Sequence, residues 1–183
     1  MLNSDEIIKY IKDPLSLAIK QQVGVDLTIE TIKKIKGDNH RYLGVHIGNI
    51  ILKNKTLIPN YDNTYEMLPL KEKEVEIDGK EQVIDGWFLE EGPYSLTFSQ
   101  GCKLPNNVAA EIIHRSSLNR LGCMIKSGIF DPGFETENMG ATLYVSIPIL
   151  IEYRARLAQI KMYNCTPTNN IYNGQYQKEK DIK

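Results

Sequence analysis

His114-Arg115-Ser116-Ser117-Leu118-Asn119-Arg120-Leu121-Gly122, followed closely by Gly128-Ile129-Phe130-Asp131-Pro132-Gly133-Phe134, is the stretch around which this chain is organised. Ser116 to Leu121 suits one or two helical turns, with Ser116 as N-cap and Gly122 as the stop. Free N–H groups at such a start attract anions, and Arg115 adds a planar, permanently charged fork suited to phosphate oxygens. Ser116 and Ser117 offer hydroxyl donors. Taken alone, the same residues also describe an ordinary capped turn beside a surface arginine. The second part is a tight loop. Pro132-Gly133 fits the two central positions of a type II turn, and the following proline keeps the Asp131 backbone extended. A carboxylate is ionised at neutral pH and can accept a proton from water. Alone, an aspartate here equally well just starts the turn.

The flanks are strands. Val108 to His114 leads into the stretch, after a turn at Leu104-Pro105-Asn106-Asn107. Ala141 to Ser146, Ile147 to Tyr153 and Arg156 to Tyr163 follow it. Upstream, Trp87 to Phe98 reads as two strands around a Gly92-Pro93 turn. Regular strand spacing with turn chemistry between argues for an antiparallel barrel or sandwich. Asp78-Gly79 is a hairpin signal inside a charge-alternating ribbon at about 71–86. Tyr42 to Ile51 and Thr56 to Ile58 are further β-rich pieces, after a solvated strand end and turn from Lys33 to Asn39. Val23 to Ile29 alternates as a half-buried strand, with Asp26 on its non-core face. A helix over 4–13, capped by Ser4 or Asp5, puts Ile7, Ile8 and Ile11 on one face and stops before Pro14. Residues 1–163 read as a single domain. The polar tail, 164–183, reads as an arm that is mobile until something binds.

Bulk properties narrow the classes. The 183 residues are 42% apolar and 25% charged, ordinary for a globular protein, and the net charge of -1 gives no support to nucleic-acid binding. Apolar runs such as Ile147 to Ile151 are too short for a membrane span. A start of Met1-Leu2-Asn3-Ser4-Asp5-Glu6 has no signal-peptide character, so a cytoplasmic location is expected. Cys102, Cys123 and Cys165 lack metal-type spacing and suit a reducing compartment. His40, His46 and His114 form no metal-ligand pattern. Arg154-Ala155-Arg156-Leu157-Ala158-Gln159 reads either as a second anion site or as a charged hairpin end.

Together these pieces resemble the dUTPase and dCTP deaminase superfamily. Gly24-Val25-Asp26-Leu27 is similar to its first motif, and Arg115-Ser116-Ser117-Leu118 with Arg120 and Gly122 to its second. Gly128 to Phe134 resembles the third and Arg156-Leu157-Ala158-Gln159-Ile160 the fourth. Gly174-Gln175-Tyr176-Gln177 resembles the C-terminal arm of the deaminase-like branch. The resemblance implies a mainly β subunit, a distorted jelly-roll or β-clip barrel of the dUTPase type with short helices, forming a homotrimer with interfacial sites. It implies dUTP as ligand. Arg115, Ser116, Ser117 and Arg120 would lie at the phosphates, while Ser127, Gly128 and Ile129 would begin a hairpin whose backbone reads the pyrimidine. Phe134 would pack on the deoxyribose where a 2′-hydroxyl would not fit. Asp131 would activate water for attack on the α-phosphorus. Mg²⁺ would bridge phosphate oxygens and waters, with Asp26 as a possible outer partner. Gln159 would support the nucleotide site, and Tyr176 and Gln177 would close over the ligand.

Within the family, deaminases carry a glutamate in the strand after the third motif. Here Ala141-Thr142-Leu143-Tyr144-Val145 places Tyr144 there, similar to plain dUTPases. Glu135 and Glu137 stand in the preceding loop and would substitute only after rearrangement. The resemblance therefore implies a dUTP diphosphatase. A dCTP deaminase, possibly bifunctional, is the first alternative and a non-catalytic nucleotide-binding regulator the second.

Overall fold

The computed structural model describes residues 1–35, 40–44, 48–53, 56–58, 65–174 and 177. The chain opens with one α-helical turn, α1 (Ser4–Ile7). Asn3 caps it: its side chain accepts the Glu6 N–H at 3.0 Å, and the Glu6 carboxylate accepts the Asn3 N–H at 2.9 Å. This capping box lies one residue earlier than the expected Ser4 or Asp5 cap. The helix is also shorter than expected. A 3₁₀ turn (Ile8–Tyr10) leads directly into β1 (Ile11–Lys12), because Ile11 and Lys12 pair with Cys102 and Gly101.

Next come β2 (Ile19–Lys20), β3 (Val25–Ile35), β4 (His40–Gly44), β5 (Gly48–Lys53), β6 (Thr56–Ile58) and β7 (Tyr65–Met67). The β-rich pieces expected over 42–51 and 56–58 become the antiparallel series β4, β5, β6. The hairpin follows as β8 (Lys71–Ile77) and β9 (Lys80–Leu89), with Asp78 and Gly79 at φ of 52° and 74°. Both central residues need positive φ in the turn that matches strand twist. β10 (Gly92–Phe98) includes Gly92 and Pro93, so the preceding turn falls at Glu90-Glu91 and not at the Gly-Pro pair. The remaining elements are β11 (Gly101–Lys103), β12 (Val108–His114), α2 (Ser116–Arg120), β13 (Cys123–Lys126), β14 (Glu135–Thr136), β15 (Gly140–Val145), β16 (Ile149–Glu152) and β17 (Arg156–Asn164).

Among the described residues, six strands close on themselves in the order β3, β10, β15, β13, β12, β17 and back to β3, every pair antiparallel. Closure leaves these strands no open edge. The expectation of a mainly β barrel is met. Each strand sends alternate side chains inward: Leu27, Leu96, Leu143, Ile125, Ile112 and Ile160 are all buried. Each such burial stabilises the fold by about 1.5–3 kcal/mol. The small sheet β1–β11–β14 ties the N-terminal segment to the chain just after the Asp131 turn.

Candidate functional site

The outer face of β3, β12 and β17 builds the first half of the site. The sequence puts Asp26 on the non-core face of a half-buried strand, yet the side chain is 0% exposed. Its strand is paired on both edges, and polar side chains cover the face it looks out from. Gln159 Nε2 donates to Asp26 Oδ1 at 2.9 Å, and Gln21 Nε2 donates to Oδ2 at 2.9 Å. Arg115 Nε lies 3.3 Å and Arg156 Nη1 3.4 Å from the same Oδ2. Arg115 Nη1 also donates to the Arg156 carbonyl at 3.2 Å. The hub therefore holds two guanidinium charges against one carboxylate. The surplus positive charge stands beside a cavity of about 480 Å³ lined by Gln21, Ile113, His114, Arg115, Ser116, Asn119 and Gln159. An arginine has more N–H donors than these bonds use, so Arg115 can be aimed by Asp26 and still present donors to an anion.

The local backbone explains why Arg115 sits where it does. Its N–H bonds to the Leu157 carbonyl at 3.0 Å, which holds it extended at the end of β12. Arg115 is thus the N-cap of α2, without a side-chain cap bond, and Ser116 is the first helical residue instead of the cap. Gly122, at φ 73°, follows the helix as expected. Ser116, Ser117 and Arg120 are exposed, and of these Ser116 lines the cavity.

The second half is the loop after β13. Ser127 Oγ accepts the Ile112 N–H at 2.9 Å and lies 2.8 Å from the Gly128 carbonyl, so this hydroxyl fixes the hairpin's first step. Phe130 exchanges both backbone hydrogen bonds with Ala110, at 2.8 and 3.0 Å. The Phe134 N–H bonds to the Asp131 carbonyl at 3.0 Å, and Gly133 has φ 85°, which makes the Pro132-Gly133 turn type II as read from the sequence. Asp131 and Gly128 are exposed at this tip, and Ile129 is 71% exposed. The Phe134 ring stacks on Phe130 at 5.2 Å and meets the Tyr172 ring edge-on at 5.2 Å.

The two halves are separate in one chain. Arg115, Ser116 and Gln159 share the cavity, but Asp131, Ile129 and Phe134 do not line it. β12 joins them, and its run from Ala110, opposite Phe130, to Arg115 is roughly 16 Å of strand. In the tail, Tyr172 and Gln177 dock on the Asp131 turn through hydrogen bonds to its backbone. Tyr176 lies outside the described residues. Gln21, His114 and Asn119 line the cavity too, although no sequence signal gives them a role there. Gln21 precedes β3 with no periodic signal, and only the fold shows that it reaches Asp26.

Other chemistry is poorly supported. Burial pushes the Cys102 thiol up to about 12, so it is no nucleophile at neutral pH. Among the described residues no group of three His, Cys, Asp or Glu side chains is placed to hold a metal ion. Both Asp26 oxygens already accept donors, which suits an organising carboxylate better than a metal partner. No helix of the described residues is long and apolar enough to cross a membrane.

This barrel also occurs in a solved protein. A 2′-deoxycytidine 5′-triphosphate deaminase from Agrobacterium tumefaciens superposes with a TM-score of 0.57, covering 88% of this chain and 47% of that one, at 17% identity. That likeness defines the fold class. A family model described as dCTP deaminase-like matches residues 1–165, and the chain belongs to that family. Among similar sequences, a deoxyuridine 5′-triphosphate nucleotidohydrolase of Methanocaldococcus jannaschii is 32% identical over 158 residues, 86% of either chain. A probable deoxyuridine 5′-triphosphate nucleotidohydrolase of Methanosarcina mazei is 30% identical over 191 aligned positions, covering 98% of this chain and 97% of that protein. A dCTP deaminase of Acidianus ambivalens is 37% identical over 88 residues, 48% of this chain and 51% of that protein.

Proposed function

We propose that this protein is a dUTP diphosphatase that converts dUTP and water to dUMP and pyrophosphate. The observation that carries the reading is Tyr144. It occupies the place on β15 where deamination calls for a carboxyl group to move protons, and a phenol is a poor substitute near neutral pH. The two carboxylates that precede β15 in the sequence are paired with Lys12. Lys12 Nζ bonds Glu135 at 2.7 Å and Glu137 at 2.8 Å. The nucleotidohydrolase relatives, aligned over most of their length, support the same choice.

In this reading the cavity beside Arg115 takes the phosphates, with Ser116 as a further donor and Asp26, itself held by Gln159, keeping the guanidinium in place. Asp131 orients a water and removes its proton as the water oxygen bonds to the α-phosphorus. The bond from that phosphorus to the bridging oxygen breaks, and pyrophosphate leaves. The hairpin backbone from Ser127 onward reads the base, and Phe134 packs on the sugar. Mg²⁺ would arrive with the triphosphate and offset its negative charge, held by phosphate oxygens and water. Because the Asp131 loop pairs with β12 at Ala110 while Arg115 follows the far end of that strand, a complete site would combine residues of neighbouring subunits in a homotrimer. Turnover in ¹⁸O-labelled water tests the chemistry. The label should appear in dUMP, and label in pyrophosphate would rule out attack at the α-phosphorus.

The deaminase likeness of half the chain favours one competing reading, deamination of dCTP. It predicts ammonia from dCTP.

A further inference from the structure

We infer that Gln177 is a positioning residue that locks the backbone on both sides of Phe134 and acts on a ligand only through that ring. This rests on the proposed packing of Phe134 against the sugar. Gln177 Nε2 donates to the Gly133 carbonyl at 2.9 Å, and Gln177 Oε1 accepts the Glu135 N–H at 3.0 Å. In extended chain the carbonyl before a residue and the N–H after it point to the same edge. One primary amide therefore fills the place an adjacent strand would take. The opposite edge is also satisfied: the Phe134 N–H bonds to the Asp131 carbonyl at 3.0 Å, and its carbonyl accepts the Leu104 N–H at 2.9 Å. Every peptide group around Phe134 is thus engaged, and Gln177 supplies two of those bonds.

The tail is guided to this position. The Tyr172 N–H bonds to the Pro132 carbonyl at 2.9 Å, and its ring meets Phe134 edge-on. Ile171 packs so closely on the turn that a Cβ at position 133 would lie 2.7 Å from Ile171 Cβ. The chemistry at 177 is specific. A donor and an acceptor must sit in one planar group. A glutamate would set a carboxylate oxygen against the Gly133 carbonyl, and a lysine could not accept from Glu135.

The test uses the full chain with Gln177→Glu and Gln177→Ala, after matching melting curves confirm folding. In ligand-free protein the Glu135 amide should exchange hydrogen roughly tenfold faster in Gln177→Ala, which removes its acceptor. The preference for dUTP over UTP, as a ratio of kcat/KM, should fall several-fold. In a Phe134→Ala background, Gln177→Ala should change that ratio no further. An unchanged Glu135 exchange rate would overturn the inference. So would a KM increase that adds fully to that of Phe134→Ala, since that marks direct contact with the ligand. The exchange measurement needs no turnover, so it stays decisive if the proposed activity fails.

Discussion

Asp26 and Asp131 are the same side chain in opposite surroundings. Asp26 is enclosed by two amides and two guanidinium groups. Asp131 stands exposed at a type II turn. Replacing Asp131 with asparagine keeps the shape and removes the proposed base. Turnover of dUTP should drop by roughly 10²–10⁴-fold while calorimetric binding of dUTP persists. Unchanged turnover would remove Asp131 from its role. Asp26→Asn keeps the Gln159 contact possible but leaves two guanidinium charges uncompensated. Arg115 and Arg156 are 27% and 41% exposed, so water moderates the penalty. A loss of about 1–3 kcal/mol in denaturant unfolding is expected, together with a raised KM as Arg115 loses its hold. A raised KM with no change in stability would instead indicate that Asp26 meets the ligand or its metal.

At the scale of elements, the Asp131 turn depends on Gly133. The residue combines φ 85° with a close approach by Ile171, so Gly133→Ala strains both the turn and the tail docked on it. Gly79 has φ 74° but open space around its Cβ position. Gly79→Ala should cost about 1–2 kcal/mol and leave activity intact, whereas Gly133→Ala should impair activity as well. Thermal melts and initial rates on the two variants separate these outcomes. The same elements show what could be read in advance. Turn chemistry at Asp78-Gly79 and Pro132-Gly133 was legible because positive φ restricts residue choice. The longer alternating strands β10, β12 and β17 were legible because burial has period two. β13 was missed: Cys123 and Ile125 face inward, but four residues give too short an alternation to register. The early end of the N-terminal helix was missed because pairing of Ile11 with Cys102 is long-range. Arg115, Asp131 and Gln159 could be singled out by residue type and order. The burial of Asp26 and the contacts of Gln177 could not, since both depend on how distant segments meet.

At the scale of the whole molecule, the closed barrel leaves an apolar patch beside α2. Leu121, Met124, Tyr144 and Ile147 are 57%, 45%, 46% and 63% exposed. Met124 and Tyr144 are cross-strand partners, and Ile147 lies against Gly122. Contiguous apolar surface of this kind suits contact with another subunit. In the proposed site shared between subunits, Arg115→Ala and Asp131→Asn chains should both be inactive as pure assemblies. Refolded together, they should recover measurable dUTP turnover if sites are shared. No recovery would place Arg115 and Asp131 in one subunit's site. The central claim, hydrolysis in preference to deamination, rests on Tyr144, and one assay addresses it directly. Supplied with Mg²⁺ and either dUTP or dCTP, the protein should release pyrophosphate and dUMP from dUTP and no ammonia from dCTP. Ammonia from dCTP, or binding of dUTP without turnover, would contradict it.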